Sequence, residues 1–316
     1  GFMSSSEPLD IKNYIGLTGD TPIRFIASDV DGTLVNDAKY VDPEVVNAVR
    51  AARESGIRVA IASGRAWHEM DDVIEAMPCL RYFVCTNGAY VMDKEEQKEL
   101  VHISFDKMRA VDLVRKLMTY GVFVEAYVKA EIFGQYPVVG NETAQAEHFF
   151  RPNIRPFILK TRTMVPDLLA HLESLPEGPE KIQIFYGDER IRERILADLR
   201  DAFQGAAIDG KGRERFYDVL ESSEGNLEFV LPHTTKGTAV EALANHWGYT
   251  PDEVMTIGDS ENDLSMIRFA SASVAMGNAR DNVKAAARYA TTDNNNYGVA
   301  RALYSAIAYN RELENK

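Results

Sequence analysis

The chain reads as an α/β protein in which one mostly parallel sheet is interrupted by an inserted α+β domain. Three observations predict this. Over residues 22–88, short apolar runs such as 57–62 alternate with amphipathic helices, the pattern of strands buried on both faces of a parallel sheet. From 89 to about 230 the pattern becomes alternating strands with two clear helices, near 107–120 and 188–203, which fits a separate α+β layer. From about 231 the strand–helix winding resumes.

Residues 23–28 form the first expected strand. Asp42-Pro43-Glu44 opens a helix, with Asp42 as N-cap and Pro43 in the first helical position. Val45, Val46, Val49 and Ala52 make its apolar stripe, and Gly56 closes it. Residues 57–62 are the second strand, and Ser63-Gly64-Arg65 leads into a second helix. Residues 82–85 are the third strand, ending at Thr86-Asn87-Gly88. Inside the insert, 89–92, 100–104, 122–129 and 181–186 read as strands. Thr235 caps a helix over 236–246 that Gly248 ends. Residues 254–257 are an apolar strand running into Gly258-Asp259-Ser260-Glu261-Asn262-Asp263, and 273–276 a last short strand before Gly277-Asn278-Ala279. Asn294-Asn295-Asn296 reads as a loop, and no internal repeat is visible.

Composition narrows the functions. The 316 residues are 45% hydrophobic, enough for a sizeable core, and carry a formal net charge of -13. Such a surface repels nucleic acid and anionic lipid, so neither is an expected partner. No apolar run approaches the ~18 residues that span a bilayer, and the N-terminal Gly1-Phe2-Met3-Ser4-Ser5-Ser6 lacks the features of a signal peptide. The two cysteines, Cys79 and Cys85, form neither a disulfide framework nor a zinc pattern, and a reducing cytoplasm is the expected compartment.

Chemistry is expected where strands end. Asp29, Ser63, Asn87 and Asp259 each follow an expected parallel strand, and ligands of such sheets bind beyond the carboxyl ends of the strands. Asp29 and Asp31 leave the first strand together into a Gly-Thr turn. Two anions held so close call for a cation or a proton between them. With Asp259 and Asp263 they make a four-carboxylate cluster suited to a hard divalent cation. Taken singly each piece also has an ordinary reading: turns favour Asp and Gly, Ser63-Gly64 can be a plain helix cap, and Lys236-Gly237 can carry a solvated lysine. A lysine at a helix start opposes the helix dipole, which argues for an anion there. His233, in the loop before Lys236, is expected exposed or structural. Cys85, Trp67 and Trp247 are expected to pack.

In this order and spacing the motifs resemble the haloacid dehalogenase superfamily of phosphohydrolases, and more narrowly its Cof-type branch. The resemblance is carried by Asp29-Val30-Asp31-Gly32-Thr33-Leu34, Ala62-Ser63-Gly64-Arg65, Thr86-Asn87-Gly88-Ala89, Lys236-Gly237, Gly258-Asp259-Ser260-Glu261-Asn262-Asp263, Ala275-Met276-Gly277-Asn278-Ala279 and Tyr297-Gly298-Val299-Ala300. It covers about 22–300, with the insert matched by placement and size. It implies a Rossmann-like parallel-sheet core at 22–88 and 231–316, an α/β cap domain at 89–230 that sets specificity, and an N-terminal extension at 1–21. It implies that Asp29 is the nucleophile forming an aspartyl-phosphate. Asp31 would protonate the leaving oxygen and then activate water; an acid there is the phosphatase pattern, where ATPase-type members carry Thr. Ser63 and Lys236 would bind the phosphoryl group. Mg²⁺ would be held by Asp29, the Asp31 carbonyl and Asp259, with Asp263 helping. Gly64, Arg65, Asn87 and Asn262 are candidates for substrate or phosphate contacts.

The expected function is a Mg²⁺-dependent phosphatase acting on a small phosphorylated metabolite, sugar phosphates first. A phosphomutase would instead retain its phosphorylated intermediate and depend on a bisphosphate. A receiver-type phosphoacceptor domain also groups acids and a lysine at strand ends, and a silent metabolite-binding protein would release no phosphate. Oligomeric state is open. Within the insert, alternation along 122–129 and 181–186 puts Val122, Val124, Ala126, Ile182 and Ile184 on one face. Glu125, Tyr127, Lys181 and Gln183 lie on the other, where some of them are expected to select the leaving group, the ordinary alternative being a solvated sheet face.

Overall fold

The computed structural model describes residues 9–201 and 215–316. The reading of residues 1–6 and the last two residues of the helix expected at 188–203 lie outside them. In chain order the strands are β1 (Phe25–Asp29), β2 (Arg58–Ala62), β3 (Tyr82–Cys85), β4 (Tyr90–Asp93), β5 (Lys98–His102), β6 (Phe123–Val128), β7 (Glu131–Gln135), β8 (Thr163–Met164), β9 (Lys181–Phe185), β10 (Asp218–Leu220), β11 (Asn226–Val230), β12 (Val254–Gly258), β13 (Ala272–Ala275) and β14 (Tyr289–Ala290). They build two sheets in two compact units. The first unit holds residues 9–65, 70–101 and 235–316, the second 66–69, 102–201 and 215–234.

The first unit carries an eight-stranded sheet ordered β14-β13-β12-β1-β2-β3-β4-β5. From β14 to β3 neighbouring strands are parallel; β4 pairs antiparallel with β3. The chain winds outward from β1 in one direction and returns through β12 in the other. The switch point therefore falls between β1 and β12, where open α/β sheets bind ligands. On one face Phe25, Ala27, Ala60 and Val84 pack on Val240 and Leu243 of the helix Lys236–Trp247. Trp247 closes this core edge-on to Phe25, ring centroids 5.1 Å apart. The helix Pro43–Glu54 packs against Gly298–Glu314.

Four boundaries differ from the sequence reading. β4 and β5 extend the first sheet, so the insert begins at 102 and not at 89, and it ends at 234. The β3–β4 connection is a tight antiparallel return, which alternation alone does not assign to either sheet. Residues 9–21 are part of the first unit: Leu17 is buried, and the Ile15 N–H donates to Ser305 Oγ at 3.1 Å. After Ser63-Gly64-Arg65 no regular helix starts at once; a single turn Trp67–Met70 precedes the helix Asp71–Ala76.

In the second unit the sheet order is β10-β11-β9-β6-β7-β8. Its apolar face is as expected: Val122, Val124, Ala126, Ile182 and Ile184 share a core with Val111, Val114, Leu168 and Leu172 from flanking helices. The opposite face is also covered. Phe123 and Phe185 pack with Phe149, Phe150 and Ile158. Glu125, Tyr127, Lys181 and Gln183 are all buried, at most 4% exposed. Arg162 is bidentate on Glu125, with Nε to Oε2 at 2.8 Å and Nη2 to Oε1 at 2.9 Å, and also donates to Glu69 at 2.9 Å and to the Tyr127 hydroxyl at 3.1 Å. Gln183 donates to Glu125 at 2.6 Å and accepts from Asn226 at 3.1 Å. Lys181 pairs with Glu228 at 2.7 Å, its ammonium 4.1 Å from the Tyr127 ring centre. This corrects the expectation of a face open for leaving-group selection: the four side chains are interior and occupied with partners of their own unit. Burial would lower the Arg162 pKa, but Glu125 and its neighbours hold it well above the ordinary value.

Two outcomes follow from this packing. Glu125→Ala leaves Arg162 buried without its main counter-ion and should cost about 3–5 kcal/mol, seen as a fall in melting temperature; an unchanged melt with an altered substrate ranking would restore the selector role. Thr86, Asn87 and Gly88 all have positive φ, and a Cβ at Gly88 would stand 2.1 Å from the Thr235 carbonyl oxygen. Gly88→Ala should therefore destabilise by about 2 kcal/mol or more, measurable by denaturant titration.

Candidate functional site

The first unit brings most of the expected site residues to the carboxyl ends of its strands. Asp29 ends β1 and is buried. The next residues form a tight turn closed by the Val35 N–H donating to the Val30 carbonyl at 3.0 Å. Gly32 takes φ +75 in that turn, and a Cβ there would lie 2.3 Å from Asp259 Oδ2. Only glycine lets the β1 and β12 turns approach this closely.

Lys236 begins its helix under a reciprocal Thr235–Thr238 capping box. Its ammonium is buried and donates to Asp29 Oδ1 at 2.9 Å and to Asp263 Oδ1 at 2.8 Å. Burial alone would lower the Lys236 pKa; the two carboxylates more than reverse that and raise it. Burial pushes Asp29 up to about 6 although Lys236 opposes it. Asp263 rises to about 6 through burial and the nearby Asp29 charge. The other Asp263 oxygen accepts the Asp259 and Ser260 N–H groups at 3.0 and 3.1 Å, fixing the turn after β12.

Asp29, Asp259 and Asp263 offer carboxylate oxygens all within 4.8 Å of one another, an arrangement able to hold a metal ion. Three carboxylates against one ammonium leave two formal negative charges, which one divalent cation would balance. The donors are hard oxygens, as such a cation prefers.

Asp31 stands apart from this triad. It is exposed, and Arg65 holds its carboxylate through both oxygens, with Nε to Oδ2 at 3.1 Å. Arg65 also donates to Asp72 at 3.1 Å. Burial would lower the Arg65 pKa, but Asp31 and Asp72 raise it above its usual value. Ser63 is buried, and its Oγ accepts the Arg65 N–H at 3.0 Å. The Asn87 N–H donates to the Ser63 carbonyl at 2.9 Å, and Asn87 Oδ1 is buried without a hydrogen-bond partner among the described residues. A Cβ on Gly64 would sit 3.3 Å from that amide. Asn262 is exposed in the turn Glu261–Asp263. Glu125, Tyr127, Lys181 and Gln183 belong to the second unit's interior, as described above.

Two participants escaped the sequence reading. Thr33 is buried with its hydroxyl 3.3 Å from Asp29 Oδ2 and 3.1 Å from Asp259 Oδ1, so it can donate to either acid. Its place inside the Asp29–Leu34 motif was the available signal. Asp72 anchors Arg65 from seven residues on, and nothing in the sequence separates it from Asp71. His233 is exposed, Cys85 buried and Trp247 packed on the core, as expected, whereas Trp67 is only half-buried, in the single turn Trp67–Met70.

The sequence model of the haloacid dehalogenase-like hydrolases matches residues 26–303. Phosphatase YwpJ of Bacillus subtilis (strain 168) is 30% identical over 290 residues, 89% of this chain and 99% of that protein. The 5-amino-6-(5-phospho-D-ribitylamino)uracil phosphatase YcsE of the same organism is 28% identical over 90% of this chain and 96% of its own length. A chloroplastic endoribonuclease YBEY of Arabidopsis thaliana is 44% identical over 89% of this chain, which spans 46% of that protein. A haloacid dehalogenase-like hydrolase from Bacteroides thetaiotaomicron superposes with a TM-score of 0.72 at 27% identity, covering 89% of this chain and 98% of its own. Among the described residues no helix is long and apolar enough to cross a membrane. With the family model matched over most of its length, two of these relatives named as phosphatases and its acids gathered at the switch point of the sheet, the chain belongs to the haloacid dehalogenase-like hydrolases, as a phosphoric monoester hydrolase.

Proposed function

We propose that the protein is a Mg²⁺-dependent phosphatase that hydrolyses small phosphorylated metabolites, sugar phosphates among them, through an aspartyl-phosphate on Asp29. The observation that carries this is the Lys236 ammonium clamped between Asp29 and Asp263 beside Asp259, at the carboxyl ends of β1 and β12. Asp29 attacks phosphorus with a carboxylate oxygen, and the bond from phosphorus to the ester oxygen breaks. Asp31 gives its proton to the departing alkoxide. Its carboxylate then takes a proton from water, whose oxygen attacks phosphorus, releasing phosphate and restoring Asp29. Lys236 neutralises charge on the nucleophile and the transferring group, and Ser63 and the Gly64 amide supply donors to the phosphoryl oxygens.

Mg²⁺ held by Asp29 and Asp259, with the Asp31 carbonyl, would supply Lewis-acid charge neutralisation. Asp263 positions the other groups: both its oxygens are engaged, one by Lys236 and one by two backbone amides. Arg65 fixes where the Asp31 carboxyl sits, and the unpartnered Asn87 acceptor is available to a substrate hydroxyl. A relative whose name specifies a phosphoribityl compound supports a polyol or sugar phosphate as substrate.

Asp29→Asn should abolish phosphate release in a folded protein, and excess chelator should stop the wild type reversibly on readdition of Mg²⁺. Near-normal turnover in either case would sink the nucleophile or the metal assignment. A stability measurement checks the charge argument. In the chelated protein Asp29 binds its proton more tightly folded than unfolded, because its pKa rises from 3.8 to about 6. That contribution is present below pH 3.8 and is lost as pH climbs through about 6. Asp29→Asn escapes the loss, so it should melt higher than the chelated wild type at pH 7.5 by up to about 3 kcal/mol, with the gain vanishing near pH 4. A variant equally or less stable at pH 7.5 would remove the claim.

A further inference from the structure

The turn that carries Asp31 hangs on a glycine. Gly32 at φ +75 is a soft pivot between Asp31 and Thr33, and the Asp31 side chain is exposed rather than wedged in packing. Arg65 grips that carboxylate, and the backbone beyond the glycine is held separately. The Gly32 carbonyl accepts from Asn278 Nδ2 at 2.8 Å. Asn278 Oδ1 in turn accepts the Asn294 N–H at 3.1 Å. The side chain of Asn294, only 6% exposed, donates to the Val35 carbonyl at 3.1 Å and to Asp37 Oδ1 at 3.0 Å. Asn295 completes the link, donating to Asp37 Oδ2 at 2.9 Å and accepting the Asp37 N–H at 3.0 Å. Two amide contacts thus grip the turn beyond Asp31, one at Gly32 in its middle and one at Val35 where it closes.

The base of this clamp is itself tied down. The Gly277 N–H donates to the Thr292 carbonyl at 3.1 Å, and the Arg280 N–H to the Asp259 carbonyl at 3.0 Å. The loop bearing Asn278 is therefore joined to the loop bearing Asn294 and to the turn bearing Asp259. Asn278 must donate at one end and accept at the other, because a carbonyl only accepts and an N–H only donates. An amide satisfies both; a carboxylate of the same shape does not.

We infer that Asn278 and Asn294 are positioning residues for phosphoryl transfer: by gripping the Gly32 and Val35 carbonyls they hold the turn that aims the Asp31 carboxyl at the leaving oxygen. The inference rests on Asp31 acting as the acid. A group that only protonates the leaving alcohol matters most when that alcohol is a poor leaving group. Loss of the clamp should therefore hurt alkyl phosphates far more than activated aryl phosphates, whereas general damage to the nucleophile or metal site would hurt both.

The experiment compares kcat/KM, which reports the steps up to departure of the alcohol, for ribose 5-phosphate and p-nitrophenyl phosphate in the Mg²⁺-loaded enzyme. Asn278→Ala and the isosteric Asn278→Asp should each lower the alkyl value about 10- to 100-fold and the aryl value less than about threefold. Asn294→Ala should move the ratio in the same direction. Melting curves identify folded variants, and the near-isosteric Asn278→Asp stands in if Asn278→Ala does not fold. An equal fall on both esters, or no fall on the alkyl ester, in a folded variant overturns the clamp. Asp31→Asn separates the two readings. If it depresses both esters alike, Asp31 is not the acid; if it is selective for the alkyl ester while the asparagine variants are not, the clamp alone fails.

Discussion

The contact on which the first unit depends is the Lys236 ammonium between Asp29 and Asp263. Each group would be unfavourable alone: a lysine at a helix start opposes the dipole, and a buried carboxylate lacks solvent. Together they become tolerable and tie β1, the helix at Lys236 and the turn after β12 to one point. Close backbone approach makes this reachable. A Cβ on Gly237 would stand 2.5 Å from the Ser265 backbone, and one on Gly258 2.5 Å from Asp263 Cβ. The glycines beside the chemistry are therefore geometric requirements of the charge contact.

The same geometry divides four aspartates into separate tasks. Asp29 is buried, with one oxygen on Lys236 and the other near Thr33. Asp263 is wholly buried and saturated by an ammonium and two amides. Asp259 is half-buried, and Asp31 is exposed in the grip of Arg65. In the proposed reaction Asp29 must be ionised to attack and Asp31 must carry a proton when the alcohol leaves, and the two stand in different surroundings. Asp263 contributes mainly by fixing its neighbours, since both its oxygens already accept hydrogen bonds. That makes it the hinge pin of the group.

Legibility in the sequence followed the range of the interactions. The strand ends carrying Asp29, Ser63, Asn87 and Asp259 were readable because each motif is local and the sheet pattern places it. The 89–101 strands were misassigned because alternation shows that a strand exists but not which sheet it joins. The buried side of β6 and β9 was misread for a different reason. Glu125, Lys181 and Gln183 alternate with apolar residues as a solvated face does. Arg162, the partner of Glu125, comes from 37 residues beyond it, Glu69 from 93 before Arg162, and Glu228, the partner of Lys181, from 47 beyond that lysine. A charge becomes interior when its counter-charge arrives, and that arrival is invisible to periodicity.

Both units bury charge, but the balance differs. In the second unit Glu125 sits opposite Gln183, and Tyr127 opposite Lys181, across β6 and β9. Arg162 closes on Glu125 from outside the pair. A slip of one residue would turn every one of these side chains onto the Val124–Ile184 face and leave Arg162 facing apolar carbon. A buried ionic group of this kind gains little over a packed apolar one in net stability; what it adds is a penalty on the wrong register. The first unit spends its buried charge otherwise. Its three carboxylates exceed its one ammonium by two formal charges, and burial makes that excess costly. In the proposed reaction that excess is what a divalent cation arriving from solution would balance.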